Sequence, residues 1–160
     1  MPLALFRIDD RLIHGQVIVG WGIRLGIDHY VVVDDAIAGS AWEQELYAGG
    51  LGPDIPIQFV SGDDAVRRFA ELDGRTGRGA LLTRDTGSMR ILAESGCLDG
   101  RRVNVGGIHD GPGRARILDY VCLGERERAD LRTIALHAEE VSARDLPTAP
   151  RVPLDALLAR

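Results

Sequence analysis

Asp28-His29-Tyr30-Val31-Val32-Val33-Asp34 is a β-branched run closed at each end by an aspartate. A short unbroken apolar run of this kind reads as a strand buried on both faces, as in parallel sheets. Similar runs lie on either side of it, at residues 3–8, 55–60, 80–83 and 102–105, with Met1 leading into the first. Segments of helical spacing separate them. Residues 14–25 place Val17, Ile18, Trp21 and Leu25 on one face. Residues 40–48, 65–72, 88–95, 125–134 and 154–159 read as further helices, with Ser61 or Asp63 placed to cap the second of these. Residues 117–123 alternate and 138–143 form a closing strand, while 146–153 carry three prolines and read as irregular. Strands joined through single helices imply an α/β fold, a three-layer α/β/α arrangement over residues 1–160. Its central sheet is expected to be mainly parallel, of about six strands, with an antiparallel edge strand as an option.

Composition narrows the function. The 160 residues carry 24 acids against 19 bases, a net charge of −5, which argues against a nucleic-acid partner. Every base is an arginine, so lysine chemistry, Schiff bases and Walker-type phosphate loops included, is excluded. Two cysteines, Cys97 and Cys122, stand far apart and read as small buried apolar residues rather than a zinc site or disulfide. No apolar run approaches the roughly 20 residues that span a bilayer, and no signal peptide is evident, so a cytoplasmic location is expected.

Parallel sheets bind ligands beyond the carboxyl ends of their strands. The loops that follow strands are 9–15, 34–40, 61–63, 83–87 and 106–116, and the first is the richest: Arg7-Ile8-Asp9-Asp10-Arg11-Leu12-Ile13-His14-Gly15-Gln16-Val17. A helix start offers unpaired N–H groups to an anion, Gly15 allows close approach, and Arg11 could clamp phosphate oxygens. A neutral imidazole at His14 is a competent nucleophile near pH 7. The competing reading is structural: Asp9 or Asp10 caps the helix, Arg7 pairs with one of them, and His14 is an ordinary hydrogen-bonded histidine.

The string RIDDRLIHGQV followed by Trp21 closely resembles the active-site segment of the IIB components of the mannose/fructose/sorbose family of the bacterial sugar phosphotransferase system. The resemblance extends along nearly the whole chain, through YVVVDDA at 30–36, residues 81–83, Asn104-Val105-Gly106-Gly107 as an NxGG turn, and residues 140–147. It implies a phosphocarrier, a protein-N(π)-phosphohistidine–sugar phosphotransferase. His14 would take a phosphoryl group on Nδ1 from a phosphohistidine of a IIA component and pass it to a mannose-, fructose- or sorbose-type sugar arriving through the membrane components IIC and IID. Arg11 would neutralise the phosphate, backbone N–H groups around Ile13, Gly15 and Gln16 would hold its oxygens, and Asp10 or Asp9 would orient the site. No metal or organic cofactor is needed, and the chain would associate peripherally with the membrane through IIC and IID. Such homologues also form homo-oligomers, which this sequence does not fix. A regulatory phosphocarrier without a sugar acceptor is the alternative; a non-catalytic module binding phosphorylated ligands is a third.

Thr83 is expected near the site as a phosphate ligand, with capping by Asp85 or Thr86 as the competing role. Arg7, Arg11, Arg84 and Arg114 could form a positive rim for a partner, with His109 beside them. His109 and Asp110 could be a dyad or a solvated pair. Gly111 stands where the family often carries an arginine, and Arg114 or Arg116 would have to replace it. Asp34 and Asp35 read as a capping pair, His29 and His137 as surface or packed residues, and Trp21 as core.

Overall fold

The computed structural model describes residues 2–160; Met1 lies outside them. β1 (Leu3–Asp9) leads through a turn into a π-helical segment (Gln16–Gly22) that continues as α1 (Ile23–Leu25). β2 (His29–Val33), α2 (Asp35–Ala38), α3 (Ala41–Leu51), β3 (Ile57–Val60), α4 (Gly62–Arg67), α5 (Phe69–Asp73), β4 (Gly79–Thr83), α6 (Thr86–Glu94) and β5 (Arg102–Gly107) follow. The remainder is β6 (Ala115–Leu118), β7 (Val121–Leu123), α7 (Glu125–His137), β8 (Glu140–Ala143), β9 (Val152–Pro153) and α8 (Leu154–Leu158). Among the described residues no helix is long and apolar enough to cross a membrane.

A seven-stranded sheet runs β3-β2-β4-β1-β5-β8-β9. Its first six strands are parallel, and only β9 is antiparallel. The α/β class and the mainly parallel sheet therefore agree with the sequence reading, but two memberships differ. Residues 117–123 are not one strand: Asp119 and Tyr120 turn the chain, and β6 pairs with β7 in a separate two-stranded sheet. Aspartate favours such turns, and β6 is too exposed to be drawn into a core. The antiparallel edge comes instead from the proline-bearing tail, where Pro153 is tolerated because an edge strand need not donate on its outer side.

Side-chain alternation along the central strands divides the core between the two faces of the sheet. On one face Leu5, Val32, Ala80 and Leu82 lie with Leu12, Val17, Trp21 and Ile37. On the other, Phe6, Ile8, Val31 and Leu81 lie with Met89, Leu92, Leu131 and Ile134 from α6 and α7. Each such side chain, fully buried, contributes about 1.5–3 kcal/mol.

α2, α4 and α6 begin directly after strands because local caps hold them. Asp34 Oδ1 accepts from the Ile37 N–H, Ser61 Oγ from Asp64, and Asp85 Oδ1 from Ser88. Asp35 does not extend the cap on α2 but accepts the Gly62 N–H at 2.8 Å. Cys97 and Cys122 are buried free thiols, His29 is packed against Asp28 at 2.6 Å, and His137 is exposed. β1 lies between β4 and β5, with Ile8 opposite Thr83 and Asp9 opposite Gly107, so the loops after these three strands share one rim.

Candidate functional site

Parity along β1 decides which residues meet. Arg7 and Asp9 are two apart and share the face of Leu5, beneath the π-helical segment, whereas Asp10 follows on the opposite side. Arg7 is fully buried. Its Nε and Nη2 donate to Asp9 Oδ2 at 3.2 and 2.9 Å. Nη1 donates to Asn104 Oδ1 at 2.6 Å and the Arg144 carbonyl at 3.1 Å, and Nη2 also reaches the Asp145 carbonyl at 3.1 Å. The Trp21 ring lies 5.4 Å from the guanidinium carbon and donates its own N–H to the same Asp145 carbonyl at 2.7 Å. This corrects the expectation for Arg7, which cannot meet a partner at the rim. A buried cation requires a counterion and filled hydrogen bonds, and Arg7 has both.

Asp9 is equally buried and links Arg7 to His14. Its Oδ2 lies 2.8 Å from His14 Nε2, and Oδ1 accepts the Arg11 N–H at 3.1 Å. Burial alone would push the Asp9 carboxyl up. The hydrogen bond with His14 and the charge of Arg7 outweigh that and hold it below the ordinary carboxylate range. An ionised carboxylate only accepts, so in the neutral ring Nε2 carries the proton and the lone pair is on Nδ1.

The turn before His14 is built around Leu12. Its φ of +54° is left-handed, which costs a non-glycine residue about 1–2 kcal/mol. The Leu12 N–H bonds the Asp9 carbonyl at 2.9 Å, and full burial of its side chain offsets the strain. The chain thereby doubles back and sets His14 over Asp9. The N–H groups of Val17 and Ile18 both close on the His14 carbonyl at 3.0 Å. Those of Ile13, His14, Gly15 and Gln16 have no protein acceptor among the described residues. No atom lies within 4 Å of where a Gly15 Cβ would stand, so that backbone is open to a ligand. Arg11 is 40% exposed at its side chain, bonded to Gln16 Oε1 at 2.8 Å and 3.6 Å from Asp9. The His14 side chain is recessed, 15% exposed. An imidazole nitrogen, N–H groups without a protein acceptor and a guanidinium therefore lie along one loop, a set of groups with the chemistry to hold an anion.

The family described as "PTS system sorbose subfamily IIB component" matches residues 3–160. The chain belongs to that family. It is 31% identical over 150 residues, 91% of each chain, to the N-acetylgalactosamine-specific phosphotransferase enzyme IIB component 1 of Escherichia coli. It is 26% identical over its full length to the mannose-specific EIIAB component of E. coli, spanning 49% of that longer protein. The crystal structure of the N-acetylgalactosamine-specific IIB component 1 from E. coli superposes with a TM-score of 0.83 at 30% identity, covering 94% of this chain and 97% of the other. The chain is thus a IIB component of a sugar phosphotransferase system, a family of transferases.

Several expected rim residues of this IIB component stand differently from their sequence reading. Asp10 does not touch His14: it accepts the His109 N–H at 2.7 Å and faces His109 Nδ1 at 2.5 Å, tying the first loop to the glycine-rich one. Asp110 instead accepts the Gly111 N–H, so His109 and Asp110 form no dyad. Thr83 is fully buried and gives its only hydroxyl proton to the Asp85 carbonyl at 2.9 Å, leaving none for a phosphate oxygen. Thr86 bonds the buried Asp130 at 2.7 Å, and the cap of α6 is Asp85. Arg84 is held by both oxygens of Asp34, at 3.1 and 3.0 Å. Arg114 is held by Glu127 at 3.0 Å and the His109 carbonyl at 2.9 Å, its guanidinium lying against Gly111. The positive patch shrinks accordingly, since Arg84 and Arg114 are already matched by carboxylates.

Asp9→Asn in this IIB component is expected to lower stability by about 3 kcal/mol, because Arg7 keeps its burial and loses its counterion. The folded pKa of Asp9 is depressed, so its contribution is present above the unfolded value near 3.9 and is lost as pH falls through the folded one. Thermal melts from about pH 2 to 6 check this: wild type should gain stability with rising pH through that acid window, and Asp9→Asn should show a flatter profile.

Proposed function

We propose that this IIB component is a phosphocarrier whose His14 Nδ1 takes a phosphoryl group from a phosphohistidine on a IIA component. It then passes the group to a hexose-type sugar delivered through membrane components IIC and IID, with the chain docked on them from the cytoplasm. The observation that carries the reading is the contact of His14 Nε2 with buried, ionised Asp9 at 2.8 Å, which leaves Nδ1 as the nitrogen able to attack.

In the first transfer the Nδ1 lone pair forms the new N–P bond while the donor's N–P bond breaks and its electron pair returns to the donor imidazole. The attacking ring gains positive charge, and the Asp9 carboxylate beyond Nε2–H compensates it without reorganising. Arg11 and the unpaired N–H groups of residues 13–16 face the phosphoryl oxygens, so in-line positioning and charge neutralisation supply the catalysis. The relatives named for N-acetylgalactosamine and mannose and the family match support the sugar-transport setting.

The test is charging with phosphoenolpyruvate, the general phosphotransferase proteins and a IIA protein, followed by phosphorus NMR of the product. One acid-labile phosphate with the Nδ1 signature is expected, discharged by sugar only when membranes bearing IIC and IID are added. A phosphate on Nε2, or none from a donor that charges another IIB component, would overturn the reading. Retention of the phosphate in the presence of matched membranes and sugar would favour a regulatory carrier.

A further inference from the structure

On the face of Leu5 the apolar cluster draws on β1, β2 and β4 and takes no residue from β5, β8 or β9. Alternation sends Val103, Val105, Val141 and Ala143 to the opposite core, so Asn104 and Ser142 turn to the face of Leu5. There they line a cavity of about 510 Å³, a size typical of small-ligand sites. Arg102, Arg144, Arg151 and Glu140 also line it, and no residue of the 9–16 loop does, so it is separate from the His14 site. Of the three arginines, Arg144 alone pairs with no carboxylate among the described residues: Arg102 lies 3.6 Å from Glu139, and Arg151 is paired with Glu140. Arg144 Nη1 donates to the Pro147 carbonyl at 3.2 Å, but its Nε is buried and has no acceptor among the described residues. Protein interiors leave few such donors unpaired, and an anion is the acceptor that would also neutralise the charge.

We propose that this cavity binds a phosphorylated sugar, its phosphate held by Arg144 and Arg102 and its hydroxyls by Asn104, Ser142 and Glu140. The inference stands on the cavity rather than on the carrier reading, although that reading makes the same class of molecule the product of the second transfer. Guanidinium groups suit phosphate oxygens because their N–H donors act in pairs. An amide, a hydroxyl and a carboxylate supply the donors and acceptors that a ring of hydroxyls requires. Asn104 Nδ2 gives one proton to the Arg144 carbonyl at 3.1 Å and has a second to give. Ser142 Oγ donates to Glu140 at 3.3 Å and keeps its lone pairs. Other occupants suit the lining less well. Inorganic phosphate would fill a small part of the space, and a neutral sugar would leave Arg144 without a counterion. A nucleotide wants an open aromatic face for its base, but Phe6 and Trp21 are buried here, the Trp21 ring lying against the Arg7 guanidinium. A long acyl chain would bury Asn104, Ser142 and Glu140 without partners.

The test is titration of the full chain with a panel of hexose 6-phosphates, the free hexoses and inorganic phosphate, followed by calorimetry and amide NMR. A hexose 6-phosphate should bind saturably with a Kd of about 1 mM or below. It should shift the amides of residues 102–104 and 140–144 and the Trp21 indole N–H. Arg144→Gln should weaken binding at least about tenfold, and Arg102→Gln about two- to fivefold, because an exposed charge contributes less than a buried one. The exposed Arg102 keeps the test decisive if a thermal melt shows that Arg144→Gln does not fold. Arg132→Gln, on the helix packed against the other face of the sheet, should bind as wild type does. No saturable binding by any hexose phosphate would overturn the proposal, as would free hexose or inorganic phosphate binding there as tightly. Shifts confined to residues 11–17 would put the ligand on the His14 loop and refute the cavity. His14→Ala should bind the hexose phosphate undiminished, so a failure of the carrier reading and a failure of this one are told apart.

Discussion

His14→Ala is expected to accept no phosphoryl group from charged IIA, a loss of at least about four orders of magnitude in rate. No neighbouring group can take over. The remaining histidine on the rim, His109, has its Nδ1 held by Asp10 at 2.5 Å and its backbone N–H on the same carboxylate, so it lies outside the Asp9 relay. Thr83 is buried and its proton is engaged. The fold should barely notice the change: Asp9 keeps both Arg7 contacts and the Arg11 N–H, and a partly exposed side chain away from the core costs about 1 kcal/mol or less. Intact-mass measurement after charging, beside a thermal melt, separates the two effects. An unphosphorylated protein with a native melting temperature is the expected result; a phosphate still on His14→Ala would move the nucleophile elsewhere.

The elements were legible because β2 and β4 are apolar runs and α2, α4 and α6 carry their own caps at Asp34, Ser61 and Asp85. Where the reading failed, the deciding interaction is long-range. Asp119 favours the turn, but nothing within residues 117–123 says that the hairpin bridges to the chain after β5 through Ile108 and Val121. Nothing local makes Val152 and Pro153 an edge strand, since their partners are Ala143 and Ser142. The loop that carries the candidate site was legible, and which of its side chains meet was not. Alternation on β1 could have separated Asp9 from Asp10, because the face of Leu5 and Arg7 is also the face of the helix that follows. Arg7 looked like a surface cation because arginine usually is one. Its burial depends on Asn104, the carbonyls of residues 144 and 145, and Trp21, contributed from points far along the chain. Arg84 and Arg114 were misread for the same reason: Asp34 and Glu127 reach them only through the fold.

The NxGG segment lies within β5 rather than in a turn; its first glycine follows from the same buried charge, and Gly106→Ala is the substitution that tests it. A Cβ built on Gly106 would fall inside the van der Waals envelope of the Arg7 guanidinium, overlapping its central carbon and two nitrogens. That group is not the free end of a flexible chain able to swing aside. It is fixed by contacts to Asp9, Asn104 and two carbonyls, and buried on all sides. Displacing it breaks the pairing with Asp9 and leaves a buried guanidinium without its counterion, a loss of about 3–5 kcal/mol before steric strain is added. Overpacking adds about 1–3 kcal/mol more. The sum rivals the entire stability of many domains of this size, so Gly106→Ala is expected to be largely unfolded or to melt far below wild type. Gly107→Ala makes the contrast. Its Cβ would stand 3.1 Å from Asp9 Oδ1, which asks for a few tenths of an ångström rather than eviction of a side chain, so it should fold with a modest loss. Urea unfolding of both variants decides the matter. If Gly106→Ala unfolds at the wild-type midpoint, Arg7 is not pinned as described, and the chain of contacts from Asn104 through Arg7 and Asp9 to His14 loses its foundation.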